Sequence, residues 1–435
     1  MWRAHAGAQR YHGLKVALAA GICIVLPTLL AVAAEKPTFS VDYTVTISPK
    51  HQRVALVRWD LAGIDEINEF RLRFDTQRFD RFRGTGKLEA TTAGLRWVPD
   101  GPYAHLTYRV RIDHVRGHGQ RYDSFAGPDW IITRAREIFP RTLVDWTPRK
   151  NGRPKSFARL LFRLPGGWRS AAAAAPLDDN SYRLDQPGNV LDRPRGWIAL
   201  GKLALDREEI AGTMVEIART PNAEVDPKGV FQFLENTLPA LKHLLHAESE
   251  RLLIVVAPDP MWHGGISGEN SFFMHASRPL RTPDRTSPYL HELFHVLQPC
   301  RMRDDADWIE EGLAEYYSVE LQRRAGALDA AAFSRALGYF QRYGVWNVDL
   351  RRQYDNAATN NSAPLVMYVL DQRIQRATAG KARLDDVVTR LAKRGGIVDT
   401  VRFRHAVEAV TGKKFTKFFD QHVTRGVPPN LNNAK

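Results

Sequence analysis

His291-Glu292-Leu293-Phe294-His295 sets two imidazoles four residues apart, with a carboxylate beside the first. On an α-helix, positions i and i+4 share a face, so both imidazoles can aim at one metal ion. Glu292 then points about 100° around the helix, beside that ion, where it can act as a general base on water. A tetrahedral catalytic zinc takes three protein ligands and keeps one position open. The stretch Asp307-Trp308-Ile309-Glu310-Glu311-Gly312-Leu313-Ala314-Glu315-Tyr316-Tyr317 offers the third. Glu311 is assigned as that ligand. Glu315, one turn further on, is assigned as the acceptor that fixes a ligand imidazole. Glu310 competes for the third position from about 100° away. Cys300 also follows the histidines, but Pro299 interrupts the helix, and a buried free thiol is the better reading.

This chemistry requires helices, and the sequence supplies their signals. Ser287 is an N-cap residue, Pro288 suits the first helical position, and Pro299 is a stop. Leu290, Leu293, Phe294 and Leu297 recur at helical spacing between them. Asp307 can cap the glutamate-bearing helix. A further helix is expected from Asp226-Pro227 to about His246, with Phe231, Leu234, Leu238 and Leu241 on its apolar face. Leu252–Ala257 reads as a buried strand. Ser271–Ser277 reads as an edge strand, whose unpaired backbone groups could hold an extended peptide. From residue 305 the pattern is helical: 307–325, 329–343, 362–377, 384–393, 400–410 and 415–423.

The first half has a different period. Phe39, Val41, Tyr43, Val45 and Ile47 alternate with polar residues, the pattern of a half-buried strand. Strands are also expected at 53–60, 69–74, 103–115, 158–164, 196–203 and 213–219. Residues 165–195 are rich in Gly, Pro, Ala and Asp and read as loops. The expected fold class is α+β: an antiparallel β-sandwich or saddle domain over 35–220, a zinc-helix domain over 221–325, and a helical C-terminal lobe over 326–435.

His291–His295 followed by Trp308-Ile309-Glu310-Glu311-Gly312-Leu313-Ala314-Glu315 resembles the gluzincin metallopeptidases, and most of all the glycyl aminopeptidase-type family. Leu370–Ile374, Thr378–Asp386, Thr411–Phe415 and Phe418-Phe419 are similar to that family's C-terminal segments. The resemblance covers roughly residues 225–430. It implies a thermolysin-like catalytic domain, one zinc per chain, and a peptide or protein substrate. It also implies substrate binding by the run Gly264-Gly265-Ile266-Ser267-Gly268-Glu269. Ser267 stands where the family carries its amine-anchoring glutamate, and Glu269 is the candidate substitute. The family's oxyanion-stabilising tyrosine aligns with Asn360, which leaves Tyr354 as the nearest candidate upstream. His275, on the strand expected at the edge, is another.

The chain has 435 residues and a net charge of +14. Its basic residues are scattered through the sequence, so no nucleic-acid partner is expected, only weak attraction to anionic cell-envelope surfaces. Arg3, Arg10 and Lys15 precede an apolar run from Val16 to Ala34 ending in Ala31-Val32-Ala33-Ala34. That is the pattern of a signal peptide over 1–34, and periplasmic or secreted localisation is expected, with an uncleaved anchor as the alternative. The sequence points to an exported zinc metallopeptidase. The alternatives are a zinc-retaining peptide-binding protein without turnover, an aminopeptidase with a non-standard amine anchor, or a zinc hydrolase of a non-peptide substrate.

Overall fold

A computed structural model describes residues 38–431 except 118, 148–151, 179, 187 and 355. The leader expected over 1–34 lies outside the described residues. The strand Phe39–Ile47 buries every odd-numbered side chain. It pairs antiparallel with Val54–Ala62 and parallel with Ser156–Arg163, at the centre of a seven-stranded sheet. That parallel pair departs from the all-antiparallel expectation. Antiparallel sheets of four and five strands complete the β half. Their shared core is aromatic, with Tyr43 packed edge-on against Trp59 and Phe139 at 5.0 and 5.6 Å between ring centroids.

The stretch read as loops, 165–195, contains three short strands at Arg169–Ala172, Ala175–Asp178 and Ser181–Leu184. Ala171 and Ala172 are fully buried there, because a small side chain lets neighbouring layers close on the backbone. Alanine carries too little hydrophobic contrast for alternation to reveal such strands.

The second half is built on a five-stranded sheet in the order Ala204–Ile210, Thr213–Arg219, Arg251–Ala257, Ser271–His275, Gly265–Gly268. Two of these strands, Ala204–Ile210 and Thr213–Arg219, precede residue 220. Ser271–His275 is an interior strand, buried along its whole length, and not the edge. The run Phe272-Phe273-Met274 buries both of its faces, as an inner strand requires. The edge is the glycine-rich Gly265–Gly268.

Helix Pro227–Leu245 covers one face of the sheet; the Asp226 carboxylate caps it by accepting from the Lys228 amide at 3.1 Å. The histidine helix, Pro288–Leu297, is capped by the Ser287 hydroxyl, which accepts from the Leu290 amide at 3.3 Å. The glutamate helix runs Asp307–Arg324, with Asp307 as its first helical residue and no side-chain cap. It is buried on most sides, because it lies between the histidine helix and the helix Ala363–Ala377. At Gly312 a Cβ would press on Ala363 at 2.8 Å, so glycine is what permits this close crossing. One hydrophobic core extends from Ile210 to Val423, and the expected helical C-terminal region packs into it. Cys300 is buried in that core, its thiol donating to the Leu391 carbonyl at 3.4 Å. Among the described residues, no helix is long and apolar enough to cross a membrane.

Candidate metal centre

Helical spacing brings the Nε2 atoms of His291 and His295 to 3.1 Å from each other. Both face the Glu311 carboxylate, whose Oε2 is 3.3 Å from His291 Nε2 and whose Oε1 is 3.5 Å from His295 Nε2. The outer ring nitrogens are held from behind. His291 Nδ1 meets Glu315 Oε2 at 2.8 Å, and His295 Nδ1 meets Glu310 Oε1 at 3.3 Å. Glu310 is thus no rival to Glu311; it does for His295 what Glu315 does for His291.

The rings and the carboxylate strongly shift one another's protonation. Burial works against protonating His291, but hydrogen bonds from Glu311 and Glu315 outweigh it and hold its pKa well above the usual range. Burial likewise opposes protonation of His295, which Glu311 and Glu310 overcome, holding it up to about 10. Burial would raise Glu311, yet His295 and His291 keep it well below the ordinary carboxylate value. The cluster thus favours positive charge between two imidazoles and an anionic carboxylate, and a divalent ion that displaces protons would satisfy that preference.

Two other clusters of His, Asp and Glu exist among the described residues, Asp259-His263-His275 and His114-Asp123-Glu137. In both, arginine already sits on the carboxylates: Arg121 on Asp259, Arg134 on Asp123, and Arg78 on Glu137. Among the described residues, no arginine forms an ion pair with Glu311, Glu315 or Glu310. Of the three, only the histidine–glutamate helix pair offers donors uncommitted to a fixed cation.

Glu292 is 9% exposed and lies within electrostatic reach of His291, His295 and Glu311. Burial raises its pKa, which suits a group that must take up a proton. Its neighbour is the edge strand: a Cβ on Gly265 would collide with the Glu292 side chain, so glycine is required at that approach. The strand's hairpin pairs Gly268 with Ser271 and Ile266 with Phe273, and the His275 amide donates to the Gly264 carbonyl at 3.1 Å. By antiparallel alternation, the backbone groups of Gly265 and Ser267 then point outward, unpaired. Trp197, from the β half, braces this strand by donating from Nε1 to the Ile266 carbonyl at 2.9 Å.

The structure does not bring every candidate here. Glu269 lies in the turn beyond the strand, about 13 Å along from Gly265 at ordinary strand rise, and pairs with Arg195 at 2.8 Å. Its carboxylate faces that guanidinium and, among the described residues, makes no hydrogen bond or ion pair with His291, His295, Glu311 or Glu292. Tyr354 is 54% exposed, makes no hydrogen bond among the described residues, and responds mainly to burial and to Asp304, Asp307 and Asp305. Its place gives no support to an oxyanion role. Asn360 stands in a π-helical turn, Ala358–Ser362, against the glutamate helix, with a buried Oδ1 that has no partner. His275 is buried beside His263, ring centroids 4.2 Å apart. Sequence reasoning missed Arg116, whose charge acts on Glu292 and whose guanidinium lies 4.9 Å over the Trp262 ring. No local motif marks it, since it reaches the site from the β half.

No family model and no curated protein matches the sequence. Solved structures do match in fold. An aminopeptidase N family protein of Idiomarina loihiensis aligns with a TM-score of 0.70 at 12% identity, over 91% of this chain and 77% of that one. The M1 zinc metallopeptidase of Deinococcus radiodurans aligns at 0.60 and 12%, over 90% of this chain and 94% of that one. Legionella pneumophila aminopeptidase A, solved with aspartic acid, aligns at 0.56 and 14%, over 90% of this chain and 50% of that one. The chain has the fold of these zinc metallopeptidases and aminopeptidases.

Proposed function

We propose that this chain is a zinc-dependent peptidase, with His291, His295 and Glu311 as the metal ligands and Glu292 as the general base. The observation that carries this reading is the convergence of three metal donors beside a buried carboxylate and an open strand edge. Two imidazoles and one carboxylate are a donor set suited to catalytic zinc, which takes three protein ligands and one water. When bound, zinc supplies Lewis acidity and lowers the pKa of water to roughly 7. Glu315 and Glu310 hold the outer nitrogens of His291 and His295, so that the Nε2 lone pairs face inward. Glu292 accepts the proton of the attacking water and returns it to the leaving amine. The outward backbone groups of Gly265 and Ser267 pair with an extended peptide and set its carbonyl beside Glu292. The Deinococcus radiodurans metallopeptidase, whose fold this chain shares, has been solved with a Tyr-Ser-Ala substrate, which supports a peptide as the ligand.

The test is turnover of a mixed peptide library by zinc-loaded protein, read by mass spectrometry. Cleavage is expected, with loss on chelation and recovery on adding zinc. Stoichiometric zinc with no cleaved peptide would reduce the protein to a binder and sink the proposal.

Gly265→Ala gives a second, finer test. The added methyl must displace either Glu292 or the strand. A displacement near 1 Å at a reacting group costs about 100-fold in rate. Peptide turnover is therefore expected to fall by about that factor with zinc content unchanged. Unaltered turnover would separate the edge strand from catalysis.

A further inference from the structure

Beside the edge strand lies a cavity of about 510 Å³ lined by Arg73, Arg134, Arg136, Arg141, Arg193 and Arg195. The strand closes one wall with Ser267, Gly268 and Glu269. Six guanidinium groups around one pocket repel one another unless anions neutralise them. Three are neutralised: Arg134 is held by Asp123, Arg136 by Glu137 at 3.2 Å, and Arg195 by Glu269 at 2.8 Å. The other three have no carboxylate. Arg73 and Arg141 make no ion pair among the described residues, and Arg193 donates only to the Pro140 carbonyl, at 3.1 Å. Burial, with Arg195 and Arg141 nearby, lowers the Arg193 pKa, against the opposing influence of Tyr43 and Glu269. Glu269 is the sole carboxylate on the cavity wall.

The cavity is positioned to meet whatever lies along the strand. Side chains at i and i+2 share a strand face, so Ser267 faces the same side as Gly265, the residue against Glu292. The separation is roughly 7 Å, two residues of strand rise. An extended ligand whose backbone passes Glu292 would thus carry a neighbouring side chain into the arginines. Planar guanidinium forks match carboxylate oxygens two to two.

We propose that this cavity receives an acidic side chain of the peptide held on the edge strand, so that the enzyme selects substrates with aspartate or glutamate near the cleaved bond. This rests on the peptidase reading, with the strand as the substrate's track. Arg73, Arg141 and Arg193 supply the selectivity, and none of them touches the metal donors or Glu292. Acidic preference should weaken as salt rises, because the ligand's charge meets the arginines at a solvent-connected mouth.

The experiment uses paired peptides differing only in Glu against Gln at positions flanking the scissile bond. With zinc-loaded protein, kcat/KM is expected to favour the Glu member by about 10- to 100-fold, a range set by one to two charge-assisted hydrogen bonds. Arg141→Gln combined with Arg73→Gln should erase that ratio while leaving turnover of the Gln peptides unchanged. Calorimetry of the same peptides on the Glu292→Gln protein reads the preference without catalysis. If nothing is cleaved by the unsubstituted protein but the Glu peptides bind this variant more tightly, and the arginine substitutions remove the difference, the cavity assignment stands while the catalytic reading falls. Equal binding of Glu and Gln peptides overturns the proposal. So does displacement by inorganic phosphate without any Glu preference, which would assign the arginines to a phosphate group instead.

Discussion

Glu292→Gln is expected to retain zinc and to lose hydrolysis by about 10²- to 10⁴-fold, the usual contribution of a positioned general base. Glutamine fills the same volume and keeps the contact with the edge strand, so the fold and the metal donors are undisturbed. It cannot accept a proton at any accessible pH. The residue is buried, with Gly265 pressed against it. Zinc content by elemental analysis and kcat on a peptide cleaved by the unsubstituted protein decide the matter together. Normal zinc with activity within tenfold of the parent would move the base to another residue.

Glu311→Ala should release the metal. The carboxylate lies within 3.5 Å of both inward nitrogens and closes the donor triangle. Its loss removes one ligand of three and the anion that balances the site. Glu315→Gln provides the internal comparison: it touches only the outer nitrogen of His291, and loss of such a supporting partner costs about 10- to 100-fold in metal affinity. Glu311→Ala is expected to exceed that, with no stoichiometric zinc retained after dialysis against a weak chelator. Circular dichroism should stay close to the parent, because the glutamate helix is held mainly by Trp308, Leu313, Tyr316 and Tyr317 in the core. Equal zinc affinity in the Glu311 and Glu315 variants would assign the third donor elsewhere.

What could be read from the sequence follows the range of the interactions concerned. The histidine helix is set by neighbours within a dozen residues, Ser287, Pro288, the leucine stripe and Pro299, and its observed span matches that reading. The Glu311–Glu315 spacing likewise translated directly into two contacts on one side of the histidines. The edge strand did not, because both Gly265–Gly268 and Ser271–His275 are short, and only pairing with Arg251–Ala257 decides which lies inside. The pairing of Glu269 is hidden for the same reason: its partner Arg195 is 74 residues away in sequence. The arginine cavity was invisible, since its members come from residue 73, from 134–141 and from 193–195. A scattered basic composition becomes a single pocket only after three distant segments of the β half fold together.

The brace from Trp197 to the edge strand ties the inheritance of the two halves together. Its indole N–H holds the Ile266 carbonyl, and its backbone amide donates to the Ser271 hydroxyl at 2.9 Å. Trp130, Ile132 and Ala199 of the β half pack into the same cluster as Leu253, Val255 and Phe273. A gene fragment starting after this junction would translate into a polypeptide with a raw, greasy flank and an unsupported ribbon where the ligand must dock. Grafting the second half onto a foreign scaffold therefore means carrying the strand Trp197–Gly201 along with it.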